Sequence, residues 1–173
     1  MAAANTDPFF VLKNMARNLE LRVGVLEGAT HTGESGRTIP VAEYAIYNEF
    51  GATIRVTPKM RAFLHHKDIH LSAETEELHI PARPAVRSTV DEYGDDWAQT
   101  LAGLLSRGLD PETALRQVGE LASADMKRTI ESWSQPPNAP ATIESKRSRR
   151  DNPLVDSGDY VDSIDYEVRG GRQ

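Results

Sequence analysis

LVDSGDYVDSIDYEV, residues 154–168, decides how this chain is put together. In its second half Ile164, Tyr166 and Val168 alternate with Asp165 and Glu167, the period of a half-buried strand. A matching alternation stands far upstream in LELRVGVLEG, where Leu19, Leu21, Val23 and Val25 recur at every second position. Two long helical patterns lie between them. A sheet that draws strands from both ends of the chain, with helices in the middle, is an α+β arrangement and not a repeating βαβ one. The expected fold is therefore a single α+β domain over residues 1–173: a small, mostly antiparallel sheet packed with two long helices and extended loops.

The first half of the same stretch poses a chemical question. Two apolar residues followed by Asp-Ser-Gly is how aspartic proteases present a catalytic carboxylate, which would be Asp156 here. Such a site needs two carboxylates sharing a proton. The triplet occurs once, and the fifteen residues after Gly158 are too few for the strands of a substrate cleft. The structural reading is that Leu154 and Val155 pack while Asp156 or Ser157 accepts hydrogen bonds from free amides at the start of a short helix.

Working outward, the spacing of Phe9, Leu12 and Met15 after Asp7 and Pro8 predicts a short amphipathic helix over 8–18. Residues 28–40 are rich in Gly, Ser and Thr without periodicity and read as an exposed loop. VAEYAIYNEFGA (41–52) has helical spacing and ends on Gly51, a residue that tolerates positive φ. TIRV reads as a strand, PKMRAFLHH as one or two helical turns, and IHLSAETEELHI as two strands around a polar turn. From Pro84 to Leu109 a long helix, interrupted or bent near Gly94, carries Val86, Val90, Trp97, Leu101 and Leu104. Asp110 and Pro111 form a cap and first-turn pair for a second long helix whose apolar face is Leu115, Val118, Leu121, Ala122, Met126 and Ile130. SQPPNAPATIESKRSRRDNP (134–153), with four prolines and four basic residues among the five from Lys146 to Arg150, reads as a flexible surface segment.

Composition narrows the classes. Hydrophobic residues make up 39% and charged residues 27%, within reach of a folded core. A net charge of −6 opposes general attraction to nucleic acid or anionic membranes. There is no cysteine, which removes disulfides and thiolate chemistry. No apolar run approaches the about 18 to 20 residues of a membrane span, and the first ten residues lack the basic and apolar regions of a signal peptide. The expectation is a protein made and kept inside a cell unless a larger body carries it out.

Signatures of catalysis and metal binding are missing. His66 and His70 would share a helical face, yet Asp68 is the one nearby carboxylate and HExxH does not occur, so surface histidines are the expectation. GxxxxGK[ST] and GxSxG are absent as well. No catalytic, metal or cofactor-binding residue is assigned.

What is specific is an ordered series: LRVGVLEG, VAEYAIYNEFGA, IPARPAVRSTVDE, LASADMKRTIESWSQPPNAPATIESK and NPLVDSGDYVDSIDYEV. In this order they resemble the neck and tail-completion proteins of tailed bacteriophages, the group of the Mu-type virion morphogenesis and HK97-type tail-component proteins, over about residues 19–168. Ala85 stands where that family has phenylalanine, Ser157 where it has threonine and Tyr160 where it has leucine. The resemblance implies a structural virion protein of the head–tail junction, a homo-oligomeric ring of hexamer or dodecamer type in the neck or at the head-proximal end of the tail. It would join connector or adaptor to tail-tube or terminator proteins, with DNA passing through the lumen. It would be synthesised in the host cytoplasm and reside in the virion. The alternatives are a non-viral module that grips a protein partner through its flexible loop, and a hydrolase dependent on Asp156.

Structural or oligomer-interface roles are expected for eleven residues. Glu49 and Phe50 close the short helix, with Phe50 buried and Glu49 bonded to backbone or to an arginine. Arg61, Arg83 and Arg87 are read as surface charges or as partners of Glu43 or Glu49. Lys146, Arg147, Arg149 and Arg150 form a basic arm for a neighbouring copy or for DNA. Asp156 and Ser157 serve as caps.

Overall fold

The computed structural model describes residues 10–14, 19–26, 28–32, 36, 38–146 and 151–170. Its centre is a three-stranded antiparallel sheet in the order β1 (Phe10–Asn14), β2 (Leu19–Val25), β7 (Ile164–Arg169). The two alternating stretches of the sequence are direct neighbours: Leu21 is opposite Val168, Val23 opposite Tyr166 and Val25 opposite Ile164. Leu19, Leu21, Val23 and Val25 are buried, as their period demands.

One long helix, α4 (Pro111–Ser132), covers this face by packing on β2 and β7, and a second, α3 (Ala85–Ser106), packs on α4. Asp110 Oδ2 accepts from the amides of Glu112 at 3.1 Å and Thr113 at 3.3 Å, so α4 starts where the Asp-Pro pair places it. Gly119 lets the helix approach the sheet, because a Cβ there would lie 2.9 Å from Leu21 Cδ1 and tighter still against the Tyr166 ring. Trp97, fully buried, donates from Nε1 to Asp125 Oδ2 at 2.8 Å, joining α3 to α4 through one polar contact inside the core. The fold is the expected single-domain α+β arrangement.

Around this core lie β3 (Thr30–Thr32) and β4 (Thr38–Pro40), α1 (Val41–Phe50), β5 (Ala52–Arg55), α2 (Pro58–His66), β6 (Glu77–Ile80), α5 (Pro140–Ser145) and α6 (Asp159–Asp162). None of the described helices is long and apolar enough to cross a membrane.

Several local expectations are corrected. The chain from Phe10 to Asn14 is a strand and not part of a helix, with Phe10 opposite Val23 and Asn14 opposite Leu19. A short helix must nucleate alone, whereas the free edge of β2 offers this segment a backbone partner. The 28–40 loop contains the β3–β4 ladder, Thr30 opposite Pro40 and Thr32 opposite Thr38, built on β-branched threonines. β6 pairs with β5 and not with Ile69–Leu71, which form no strand. α3 runs through Gly94 without interruption. Leu121 lies at the margin of the α4 stripe and is exposed.

Candidate functional site

Four of the segments that carry the sequence resemblance meet in one buried polar joint. It begins at the end of α1, where the amide of Arg83 donates to the carbonyl of Asn48 at 2.6 Å. Gly51 turns the chain away with φ 72°, and a Cβ there would stand 2.8 Å from the Ile80 carbonyl and 3.0 Å from the Ala82 nitrogen. Any side chain would push α1 off the 80–82 backbone.

Glu49, only 4% exposed, reaches the first turn of α3. Its Oε2 accepts from the Val86 amide at 3.1 Å and its Oε1 from the Arg87 amide at 3.0 Å. The first amides of any helix lack intrahelical partners, and α3 has no side-chain cap of its own after Pro84, so a glutamate from another helix supplies one. Arg87 Nη2 also donates to the Glu49 carbonyl at 3.3 Å, and its Nε lies 3.6 Å from Oε1. Burial raises the Glu49 pKa above the usual glutamate value, against the downward pull of the two amides and the Arg87 charge.

The joint continues into the proline-rich segment. Arg83 is buried and does not pair with Glu43 or Glu49; its Nε donates to the Pro136 carbonyl at 2.9 Å and its Nη2 to the Pro137 carbonyl at 3.0 Å. Prolines give this segment acceptors without amides, and a guanidinium fork meets two successive carbonyls. Burial lowers the Arg83 pKa. Next, buried Asn152 donates to the carbonyls of Ile130 at 3.0 Å and Glu131 at 2.8 Å, while its Oδ1 accepts from the amides of Leu154 at 2.7 Å and Val155 at 2.9 Å. Asn138 Nδ2 reaches the Asn152 carbonyl at 3.4 Å.

Lys146 overturns its expected place in a solvent-exposed basic arm. It is buried, and its ammonium donates to the carbonyls of Asn152, at 2.5 Å, and Val155. Burial lowers its pKa, while the Asp156 and Asp151 charges raise it. Arg147, Arg149 and Arg150 lie outside the described residues. The described parts of the 134–153 segment thus contain α5 and two buried anchors where a flexible loop was expected.

Phe50 is exposed, contrary to expectation, and the Arg87 guanidinium stands 5.4 Å from its ring centroid. Arg61 is likewise not a partner of an acidic helix: Nη1 donates to the carbonyls of Leu71 at 3.3 Å and Ser72 at 2.7 Å, and Nη2 to that of Thr75 at 2.7 Å. Arg61 therefore holds together the connection between α2 and β6. His65 at the end of α2 and His70 on the same connection meet edge to face at 4.7 Å. No cluster of three or more metal-ligating side chains is formed among the described residues.

The Asp-Ser-Gly turn lines a pocket of about 230 Å³ together with His31, Ile39, Tyr44, Leu154 and Tyr160. Gly158, at φ 102°, occupies the cap position of α6, and Ser157 Oγ accepts from the Asp159 amide at 3.4 Å while donating to Asp159 Oδ2 at 2.6 Å. The same Oδ2 lies 2.5 Å from His31 Nδ1 on β3. These contacts with Ser157 and His31 hold the Asp159 pKa below the usual aspartate range. Asp156 itself is exposed at the pocket. The sequence reading missed His31, Tyr44, Asp159 and Asn152; only Asn152, just before Pro153 and the packed Leu154, carried a local turn signal.

A third feature is an arm. From Phe50 through Ala82 no residue is buried, although the segment contains two strands and a helix. Exposed Ile46 and Tyr47 on α1 lead into it, and Phe50, Ile54 and Phe63 continue along it, Phe63 being 59% exposed. Large apolar side chains are thus exposed on α1, β5 and α2. Searches against protein-family models, curated proteins and solved structures found no match to this chain.

Proposed function

We propose that this chain is a structural virion protein of the head–tail junction, whose copies form a ring in the neck or at the head-proximal end of the tail and join connector to tail. The observation that carries the reading is the arm. A two-stranded ribbon with one helix is at best marginally stable alone, and residues 50–82 bury no side chain within their own chain. Their ordered elements and apolar residues await a second surface. Ring assembly supplies one, because in a heterologous interface each copy offers one face to a different face of the next. The ordered series of family-like segments supports the same reading, and the joint of Glu49, Arg83, Asn152 and Lys146 gives those segments a scaffolding role. The arm would also serve a module that grips a single protein partner, and the two readings differ in symmetry.

Imaging of phage particles from the source that makes this chain is the test. A ring of its density between capsid and tail is expected; absence of the chain from the particle overturns the assignment. Phe63→Ser sharpens it. The isolated variant should unfold within about 0.5 kcal/mol of the parent, yet fail to enter particles. Incorporation at the parental level would remove the arm from the interface.

A further inference from the structure

We infer that Phe63, on the arm of one copy, seats its ring in the pocket at the Asp-Ser-Gly turn of the next copy. The inference rests on the ring proposed above and names the face that receives the arm. One chain presents a knob and a hole that do not meet within it: Phe63 is 59% exposed, and the pocket is lined by other residues. Three rings stand in succession along the pocket, His31 edge to face with Tyr44 at 6.0 Å and Tyr44 edge to face with Tyr160 at 6.1 Å, while Ile39 and Leu154 add aliphatic wall. Such a lining favours another aromatic ring, which adds a further edge-to-face contact as it buries its area. A volume of about 230 Å³ falls below the range of about 300 to 1,000 Å³ usual for small-molecule and cofactor sites and suits one large side chain.

Phe63 is the side chain placed to fill it. It has the greatest exposure of the large apolar residues on the arm, whereas Phe50 lies against the Arg87 guanidinium. Met60 stands three residues before Phe63 and four before Leu64, so one face of α2 offers three apolar side chains to a partner. Charge agrees with this pairing. From Ala52 to Lys67 the arm carries Arg55, Lys59, Arg61 and Lys67 and no acidic residue. The segment that forms the turn is acidic, with six acidic residues against four basic ones over 146–168. Burial and the Asp159 charge push the Tyr44 pKa up to about 12, so its phenol stays neutral inside the pocket. The seating force is apolar, and no carboxylate in the pocket has to be free; the opposite net charges of the two segments favour their approach. A knob and a hole at separate places on one chain make a head-to-tail contact, which repeats from copy to copy and closes when the rotation allows.

The chain has no cysteine, so introduced thiols report the contact without background. Ala62→Cys with Ser157→Cys places one thiol beside Phe63 and one at the pocket wall, both at exposed positions, and leaves Phe63 itself in place. Particles carrying this double variant are treated with a short bismaleimide and resolved on denaturing gels. A ladder of linked copies is expected, with neither single variant linking more than two. His66→Cys with Thr38→Cys, also exposed, is a second pair on the same two sides. Ile39→Trp fills the pocket and should lower incorporation by about tenfold or more while its thermal midpoint holds; if that variant fails to fold, the cross-links carry the test. Rings present in particles with no ladder from either pair, a link formed inside one chain, or parental incorporation of Ile39→Trp would overturn the inference and leave the ring standing. Particles without the chain would remove the ring and the inference with it.

Discussion

Helices α4 and α2 begin by the same rule and end in opposite circumstances. Each starts with an oxygen-bearing cap followed by proline: Asp110 and Pro111 in one, Thr57 and Pro58 in the other, where Thr57 Oγ1 accepts from the Met60 amide at 3.1 Å. α4 then buries Leu115, Val118, Ala122, Met126 and Ile130 against the sheet and α3, whereas α2 buries nothing. Local grammar makes a helix in both places. What the helix is for depends on whether the rest of the chain provides a surface to receive it, and for α2 it does not.

Cutting into α4 should produce the largest effect. Met126→Ala removes a fully buried side chain and is expected to cost about 2 to 5 kcal/mol in chemical denaturation, whereas truncation of any apolar residue on α2 leaves that midpoint nearly unchanged. A small loss for Met126→Ala would mean that α4 is not the centre of the core.

Glu49 stands where core meets arm. Glu49→Ala leaves the Val86 and Arg87 amides without their acceptors and should cost about 1 to 3 kcal/mol. The pH dependence has a definite sign. Because the folded pKa of Glu49 is raised above its ordinary value, the folded state binds this proton more tightly than the unfolded state does. The destabilising contribution of the ionised group is complete above the folded pKa and is relieved as pH falls through it toward the unfolded value. Thermal unfolding of parent and Glu49→Gln across that window should therefore show the parent gaining relative stability on acidification. Parallel curves would mean that Glu49 does not titrate differently in the folded state.

The smallest effect is expected in the arm. Thr57→Ala should loosen α2 by about 1 kcal/mol. That change should be visible as faster amide exchange confined to residues 58–66, with no shift of the global transition. A global shift would tie the arm to the core and blunt the contrast with α4.

The readability of the sequence followed the same division. The alternation of β2 and β7, the Asp-Pro start of α4 and the Gly51 turn after α1 were legible because each depends on a few adjacent residues. Phe10–Asn14 was not, since its apolar spacing suited a short helix and only the vacant edge of β2 made it a strand. Among the candidate residues, a bonding role for Glu49 was legible from its place at a helix end. The destinations of Arg83 and Lys146 were not, because arginine and lysine beside prolines look like surface charge until carbonyls distant in sequence are brought to them. Phe50 misled in the other direction: an aromatic residue at the end of a helix reads as core, yet it lies outside, under Arg87.

By itself, then, the sequence determined where α2 and α4 begin, where α1 stops and which faces of β2, β7 and α4 turn inward, because capping, period and positive φ act over a span of a few residues. Only the tertiary structure decided that β5 pairs with β6, that four charged or amide side chains close a joint between remote segments, and that the chain from 50 to 82 is left without a core. Those outcomes depend on which backbone groups and apolar surfaces remain unpaired once the long helices have packed, and no local pattern records that.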